Sequence, residues 1–145
     1  MPIYALLVFA VLILDQAVKF YVQQQIPLNH SMILLPGWLS LAHIRNYGAA
    51  WSILNGQQWF FMIISVVAIV IVIYYFLKLW KNWGYALGLT LILGGTLGNF
   101  VDRLRLGYVV DMFELDFINF PIFNVADCCL TVGVLVILLA MLKDE

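Results

Sequence analysis

The sequence predicts an all-α membrane protein: a four-transmembrane-helix bundle forming one domain over residues 1–145. Three observations lead there. The chain is 65% hydrophobic and only 10% charged, with a mean hydropathy of +1.02, whereas a soluble domain is nearer half apolar and a quarter charged. Four stretches are apolar over lengths close to the ~20 helical residues a bilayer requires. The polar side chains gather at one end of these stretches instead of spreading along them. With a net charge of −1 and no basic patch, nucleic acid is not an expected partner.

The first span covers residues 3–21 and is interrupted late by Asp15, Gln16 and Lys19. No Lys or Arg precedes it and no small-x-small cleavage site follows, so it reads as a retained span and not a signal peptide. The second covers residues 59–77, with Ser65 as its polar interruption. The third, residues 84–101, carries Gly84, Gly88, Gly94, Gly95 and Gly98; two small-xxx-small pairs predict close helix packing. The fourth covers residues 124–142. Its adjacent cysteines, Cys128 and Cys129, point in different directions on a helix and are expected to be small apolar fillers without a disulfide.

The connections differ in kind. Residues 78–83 form a short basic-aromatic turn, and residues 23–58 a long excursion punctuated by Pro27, Pro36, Gly37, Gly48 and Gly56. Residues 105–121 form a second excursion on the same side. Trp38, Leu39, Leu41, Ile44, Trp51, Phe113, Phe117 and Phe120 make both excursions too apolar for solvated linkers. They are expected to hug the membrane interface. Such short runs do not decide between strands and an amphipathic segment. Four spans bring both termini to one side. The compact Lys78–Lys81 loop predicts that side to be cytoplasmic. The opposing Lys19, Arg45, Arg103 and Arg105 lie beside acids and other polar residues and are expected to serve a site.

Asp111 and Asp127 carry the functional expectation. Each is flanked by apolar residues, and carboxylates at membrane depth are costly and rare. Two at one edge of a bilayer point to acid–base chemistry on a substrate held in the membrane. Around them lie Asp15, Lys19, Asn46, Asn99, Asp102, Arg103 and Asn124. Asp15 and Lys19 are spaced i,i+4 with the acid first, which fits a helical ion pair that is either structural or part of the site. Asn124-x-x-Asp127 fits a helix start, with Asn as N-cap and the acid beside the positive end of the dipole. Asp102 and Arg103 read as a self-neutralising span end. Arg103, with five donors in a fixed fork, could instead organise the acids or a substrate carbonyl. Glu114 and Asp116 read as solvated loop acids, and His30 and His43 as loop or interface residues. No zinc-type His or Cys spacing occurs, so no metal is predicted. Ser31, Ser40, Ser52 and Ser65 have no base at a motif spacing, which disfavours serine chemistry.

Read together, these segments resemble the bacterial prolipoprotein signal peptidase family (signal peptidase II) over nearly the whole chain. The matching segments are Leu14–Lys19, Arg45–Ser52, Gly94–Arg103, Val109–Met112 and Phe123–Asp127. Trp51 and Met112 depart from the usual Phe, and neither is a polar site residue. The resemblance implies an aspartic endopeptidase of the cytoplasmic (inner) membrane. It would remove signal peptides from diacylglyceryl-modified prolipoproteins, cutting just before the lipidated cysteine. Asp111 and Asp127 would be the catalytic pair, supported by Asp15, Lys19, Asn46, Asn99, Arg103 and Asn124. It also implies no cofactor or metal, inhibition by the cyclic peptide globomycin, a site facing the periplasm, and a small extracytoplasmic β-cradle. Prolipoproteins and membrane lipids are the expected partners of a monomer. The rival expectation is a small transporter or ion relay using Asp15, Lys19, Asp102 and Arg103. The apolar cytoplasmic half of the bundle offers such a relay no polar path.

Overall fold

The computed structural model describes residues 1–50 and 53–144. The expectations that fall on Trp51 and Ser52 lie outside the described residues. Four helices and three strands follow in the order α1 (Pro2–Gln25), β1 (Ser31–Leu35), β2 (Leu39–Asn46), α2 (Gln58–Leu79), α3 (Trp83–Leu106), β3 (Val109–Leu115) and α4 (Val125–Asp144). All four helices are long and apolar enough to cross a membrane. Two of them run on past their apolar stretches, α1 to Gln25 and α3 to Leu106. The last turn of α3 carries Arg103 and Arg105, which suit the negative end of the helix dipole. Gly107 then closes the helix at φ 77°, a left-handed conformation that glycine adopts without steric cost, and turns the chain into β3.

α3 is the central helix. Within its most apolar stretch 44% of residues are buried, against 6% for α2, so α3 packs on protein and α2 faces mostly lipid. Glycine makes this possible. A Cβ on Gly88 would lie 2.7 Å from the Gly133 carbonyl oxygen, and one on Gly133 equally close to the Gly88 oxygen, so α3 and α4 meet backbone to backbone. Without a hydrophobic drive between helices in lipid, such close contact is a main source of cohesion. Residues such as Leu6, Phe9, Ile63, Val67, Val70 and Leu139 turn outward, as a bilayer solvent permits.

Both excursions become strands, forming one antiparallel sheet in the order β1-β2-β3. The sheet lies at the bundle end where α1 finishes and α4 begins. Its pleat sorts side chains by parity. Val110 and Met112 of β3 turn inward with Leu41 of β2, packing on Val22 and Ile26 at the end of α1. Val109 and Asp111 therefore face the other way. Leu41 was expected at the interface but belongs to this core. Trp38, Phe117 and Phe120 remain largely exposed, consistent with an interfacial position. His43, expected in a loop or at the interface, is buried on β2, with Nδ1 2.8 Å from the Ile26 carbonyl oxygen. Asp116, expected to be a solvated acid, is exposed but accepts a hydrogen bond from Ser40 Oγ at 2.9 Å.

Candidate active site

Three helices and two strands converge on Asp111 and Asp127. The pleat that buries Val110 and Met112 aims Asp111 at the space between α2 and α4. Asp111 is paired with Ile44 in the sheet, so Asn46, two residues on, shares its face and donates to Asp111 Oδ2 at 3.0 Å. Asp127 lies in the first turn of α4, where Asn124 caps the helix reciprocally. Asn124 Oδ1 accepts from Asp127 N at 2.9 Å, and Asn124 N donates to Asp127 Oδ2 at 3.1 Å. Asn124 also donates through Nδ2 to Asp111 Oδ1 at 2.7 Å, so one residue touches both acids.

The second oxygen of Asp127, Oδ1, accepts from Asn99 Nδ2 at 2.9 Å. The Asn99 amide can point only one way. Its Oδ1 accepts from Lys19 Nζ at 3.1 Å, and an ammonium has only hydrogens to offer. Both carboxylates thus have both oxygens engaged by amide donors. Burial is the main reason the Asp111 carboxyl is pushed up to about 7; nearby Asp127 adds to the rise, and the Asn46 and Asn124 hydrogen bonds oppose it.

Beneath the pair lies a second charged group. Lys19 is 2% exposed and bonds Asp15 Oδ2 at 2.8 Å and Asp102 Oδ2 at 3.0 Å. The buried residues of α1 are Val11, Asp15, Lys19 and Val22, so the stripe facing the bundle carries this ion pair in place of apolar side chains. Gly98 makes room for it: a Cβ there would lie 2.6 Å from Asp15 Oδ2.

Asp102 does not neutralise Arg103 as expected. Successive helical residues point about 100° apart. Asp102 leans towards α1 on the row of Gly98, and Arg103 towards the cavity on the row of Asn99. Arg103 donates to the Gly48 carbonyl at 3.3 Å and lies over the Phe61 ring at 4.9 Å; its Nε is buried without a hydrogen-bond partner among the described residues. Gln16 was not singled out from the sequence, yet it donates to Asp102 Oδ1 at 2.9 Å and Asp15 Oδ2 at 3.2 Å. The available signals were its polarity within an apolar span and its place inside the Leu14–Lys19 segment.

Asp111, Asp127, Asn46, Asn99 and Arg103 line one cavity of about 810 Å³. Phe61, Ile64 and Ala68 of α2 and Cys128, Leu130, Thr131 and Val132 of α4 make its walls, and Pro121, Ile122 and Phe123 lie at its rim. Cys128 therefore borders the site and is not simple filling. The cavity's polar end is at the sheet, and its apolar body runs between two lipid-facing helices.

A bilayer-spanning bundle with two amide-held carboxylates at the polar end of an apolar cavity has the form of a membrane-embedded enzyme. Residues 7–143 match the family model described as signal peptidase (SPase) II. The lipoprotein signal peptidase of Lactiplantibacillus plantarum is 53% identical over 145 residues, covering 100% of this chain and 97% of that protein. That of Streptococcus pneumoniae is 51% identical, covering 99% and 94%. A solved bacterial membrane enzyme, determined in meso at 2.3 Å resolution, superposes with a TM-score of 0.94 at 37% identity, covering 99% of this chain and 90% of the other. A second, at 1.9 Å resolution, gives 0.92 at 36% identity, covering 100% and 96%. The chain belongs to the signal peptidase II family and is a multi-pass membrane peptidase.

Proposed function

We propose that this peptidase is an aspartic endopeptidase whose catalytic pair is Asp111 and Asp127. It removes signal peptides from diacylglyceryl-modified prolipoproteins, cutting just before the lipidated cysteine. The observation that carries this reading is Asn124, which bonds both carboxylates at the polar end of an apolar cavity. Two neighbouring carboxylates, one buried and one half-buried, do not both ionise cheaply, so the pair holds one proton between them. Asp127, at the positive end of α4 with a backbone N–H on Oδ2, is the anion that draws a proton from the attacking water. Asp111, held neutral by burial, donates its proton to the developing oxyanion. Arg103, whose Nε has no hydrogen-bond partner among the described residues, offers a donor to a substrate carbonyl.

The cavity shape supports the lipid requirement. The scissile segment meets the pair at the sheet while the signal peptide and acyl chains stay among α2 and α4. Each buried methylene contributes ~0.8 kcal/mol, part of which is already realised in the bilayer. A monomer suffices for this chemistry, since one copy supplies the pair and the amides that hold it. The termini lie in the cytoplasm of a bacterial cell, and the site opens to the opposite face.

The test is cleavage of a purified diacylglyceryl-modified prolipoprotein in detergent micelles, followed by gel shift and mass spectrometry. The parent is expected to cut before the lipidated cysteine, a folded Asp127→Asn variant not to cut, and unlipidated precursor to be a poor substrate. Equal cleavage by Asp127→Asn would remove the aspartate mechanism, and equal cleavage of both precursors would remove the lipid requirement.

A further inference from the structure

Lys19 lies outside the cavity, and its ammonium has no role in the chemistry set out above. All three of its hydrogens are nonetheless engaged, by Asp15, Asp102 and Asn99. What those three partners hold is not random. Asp15 Oδ1 accepts from the backbone N–H of Ala126 at 2.9 Å, the residue immediately before Asp127. Asp102 Oδ2 accepts from the backbone N–H of Val110 at 3.0 Å, the residue immediately before Asp111. Asn99 holds the Asp127 carboxylate itself. Two non-reacting acids thus grip the chain one residue ahead of each reacting acid, and Lys19 ties the grips together.

We propose that Lys19 is a positioning residue for the reaction: by joining Asp15, Asp102 and Asn99 it fixes the separation and orientation of Asp111 and Asp127. This rests on the aspartic peptidase reading given above. Asp111 rides on a strand and Asp127 on a helix, and these elements come from separate parts of the architecture. Asn124 and the backbone bonds between Phe123 and Met112–Phe113 link their mounts on the chain side that follows Asp111; the tie through Lys19 links them on the other side, through the residue ahead of each acid. Gln16 braces the same two acids from another side, donating to both and to the Gly98 carbonyl at 3.3 Å. Small displacements matter in such a site: an error near 1 Å can cost about 100-fold in rate.

The experiment compares Lys19→Met with the triple variant Asp15→Asn, Lys19→Met, Asp102→Asn. The triple variant keeps an oxygen for each backbone N–H and leaves no unpaired buried charge. Folding is followed by circular dichroism and the thermal midpoint in micelles. The charged and titratable groups around the pair are Asp15 and Lys19 from α1, Asp102 and Arg103 from α3, Asp111 and Asp127 themselves, and Cys128 beside Asp127. Lys19 favours the Asp111 anion, as the smallest of the influences on that carboxyl, so its removal shifts the activity profile towards higher pH. The expected result for Lys19→Met is a kcat about 100-fold lower with KM unchanged, together with that shift. The triple variant is expected to fold like the parent and remain slow. Parent kcat and pH profile in Lys19→Met, or parent kcat in the triple variant, would overturn the proposal. If Lys19→Met does not fold, the kcat of the triple variant decides. Asp127→Asn is run in the same assay. Its cleaving like the parent would sink the underlying mechanism, independently of any Lys19 result.

Discussion

The molecule holds two pairs of aspartates, Asp15 with Asp102 and Asp111 with Asp127, and they are built to opposite ends. Burial alone does not separate them: Asp102 is 2% exposed and Asp111 3%, although Asp127 is only half-buried. Their partners do. Asp15 and Asp102 face an ammonium and backbone N–H groups, so their charge is compensated and their geometry closed. Asp111 and Asp127 face neutral amides on one side and a cavity on the other. A buried carboxylate next to a cation is a strut. One held only by amides keeps a raised affinity for its proton, and that makes it useful as an acid.

The sharpest way to break this contrast is at Asn124, the residue that serves both members of the open pair. Asn124→Ala removes the N-cap, the bond to Asp111 and the bond to Asn99. We expect about 100-fold lower kcat and a loss of about 1–2 kcal/mol in stability, measured by precursor cleavage and detergent-phase unfolding. Cleavage near the parental rate would mean the amide bridge is incidental. A smaller effect comes from pH. With Asp111 pushed up to about 7, kcat should fall as pH rises through that value and the acid loses its proton. A flat profile from neutrality upward would contradict the assignment of Asp111 as the donor. The smallest effect is on stability. The ordinary value for Asp111 is 3.8, so folding loses free energy as pH climbs from there to about 7, where the unfolded chain ionises first. Asp111→Asn abolishes this loss. The fall in thermal midpoint as pH climbs over that range should therefore be smaller in the variant than in the parent, while the variant stays inactive. A variant whose midpoint falls with pH as steeply as the parent's would argue that burial does not raise the proton affinity of Asp111.

The open pair was legible in the sequence, and of the closed one only the Asp15–Lys19 ion pair, from its i,i+4 spacing. Asp111 and Asp127 stand out because apolar neighbours surround them, and the Asn124 cap follows from spacing alone. The glycines of α3 likewise announced a tight helix contact, made with Gly133 of α4. Asp102 looked paired with its neighbour Arg103, since adjacency in sequence is visible and the contact with Lys19, eighty-odd residues away, is not. Gln16 was missed for the same reason: its bond to Asp102 spans 86 positions. The strands were ambiguous because runs of five to eight residues carry too few periods to choose between alternation and a helical face. The cradle was expected from family resemblance and not from periodicity. What local pattern could not supply was the register that opposes Ile44 to Asp111 and so brings Asn46 to the site.

The claim at the centre of this account is that the Asp111–Asp127 pair shares one proton, with Asp111 as its usual holder. The most direct measurement is a carbon-13 NMR titration of carboxyl-labelled aspartate in micelles, for the parent and for Asp111→Asn. The account predicts one carboxyl resonance titrating near pH 7 in the parent and missing from the variant. A parent with no carboxyl titrating near neutrality, or a variant that keeps the resonance, would contradict it.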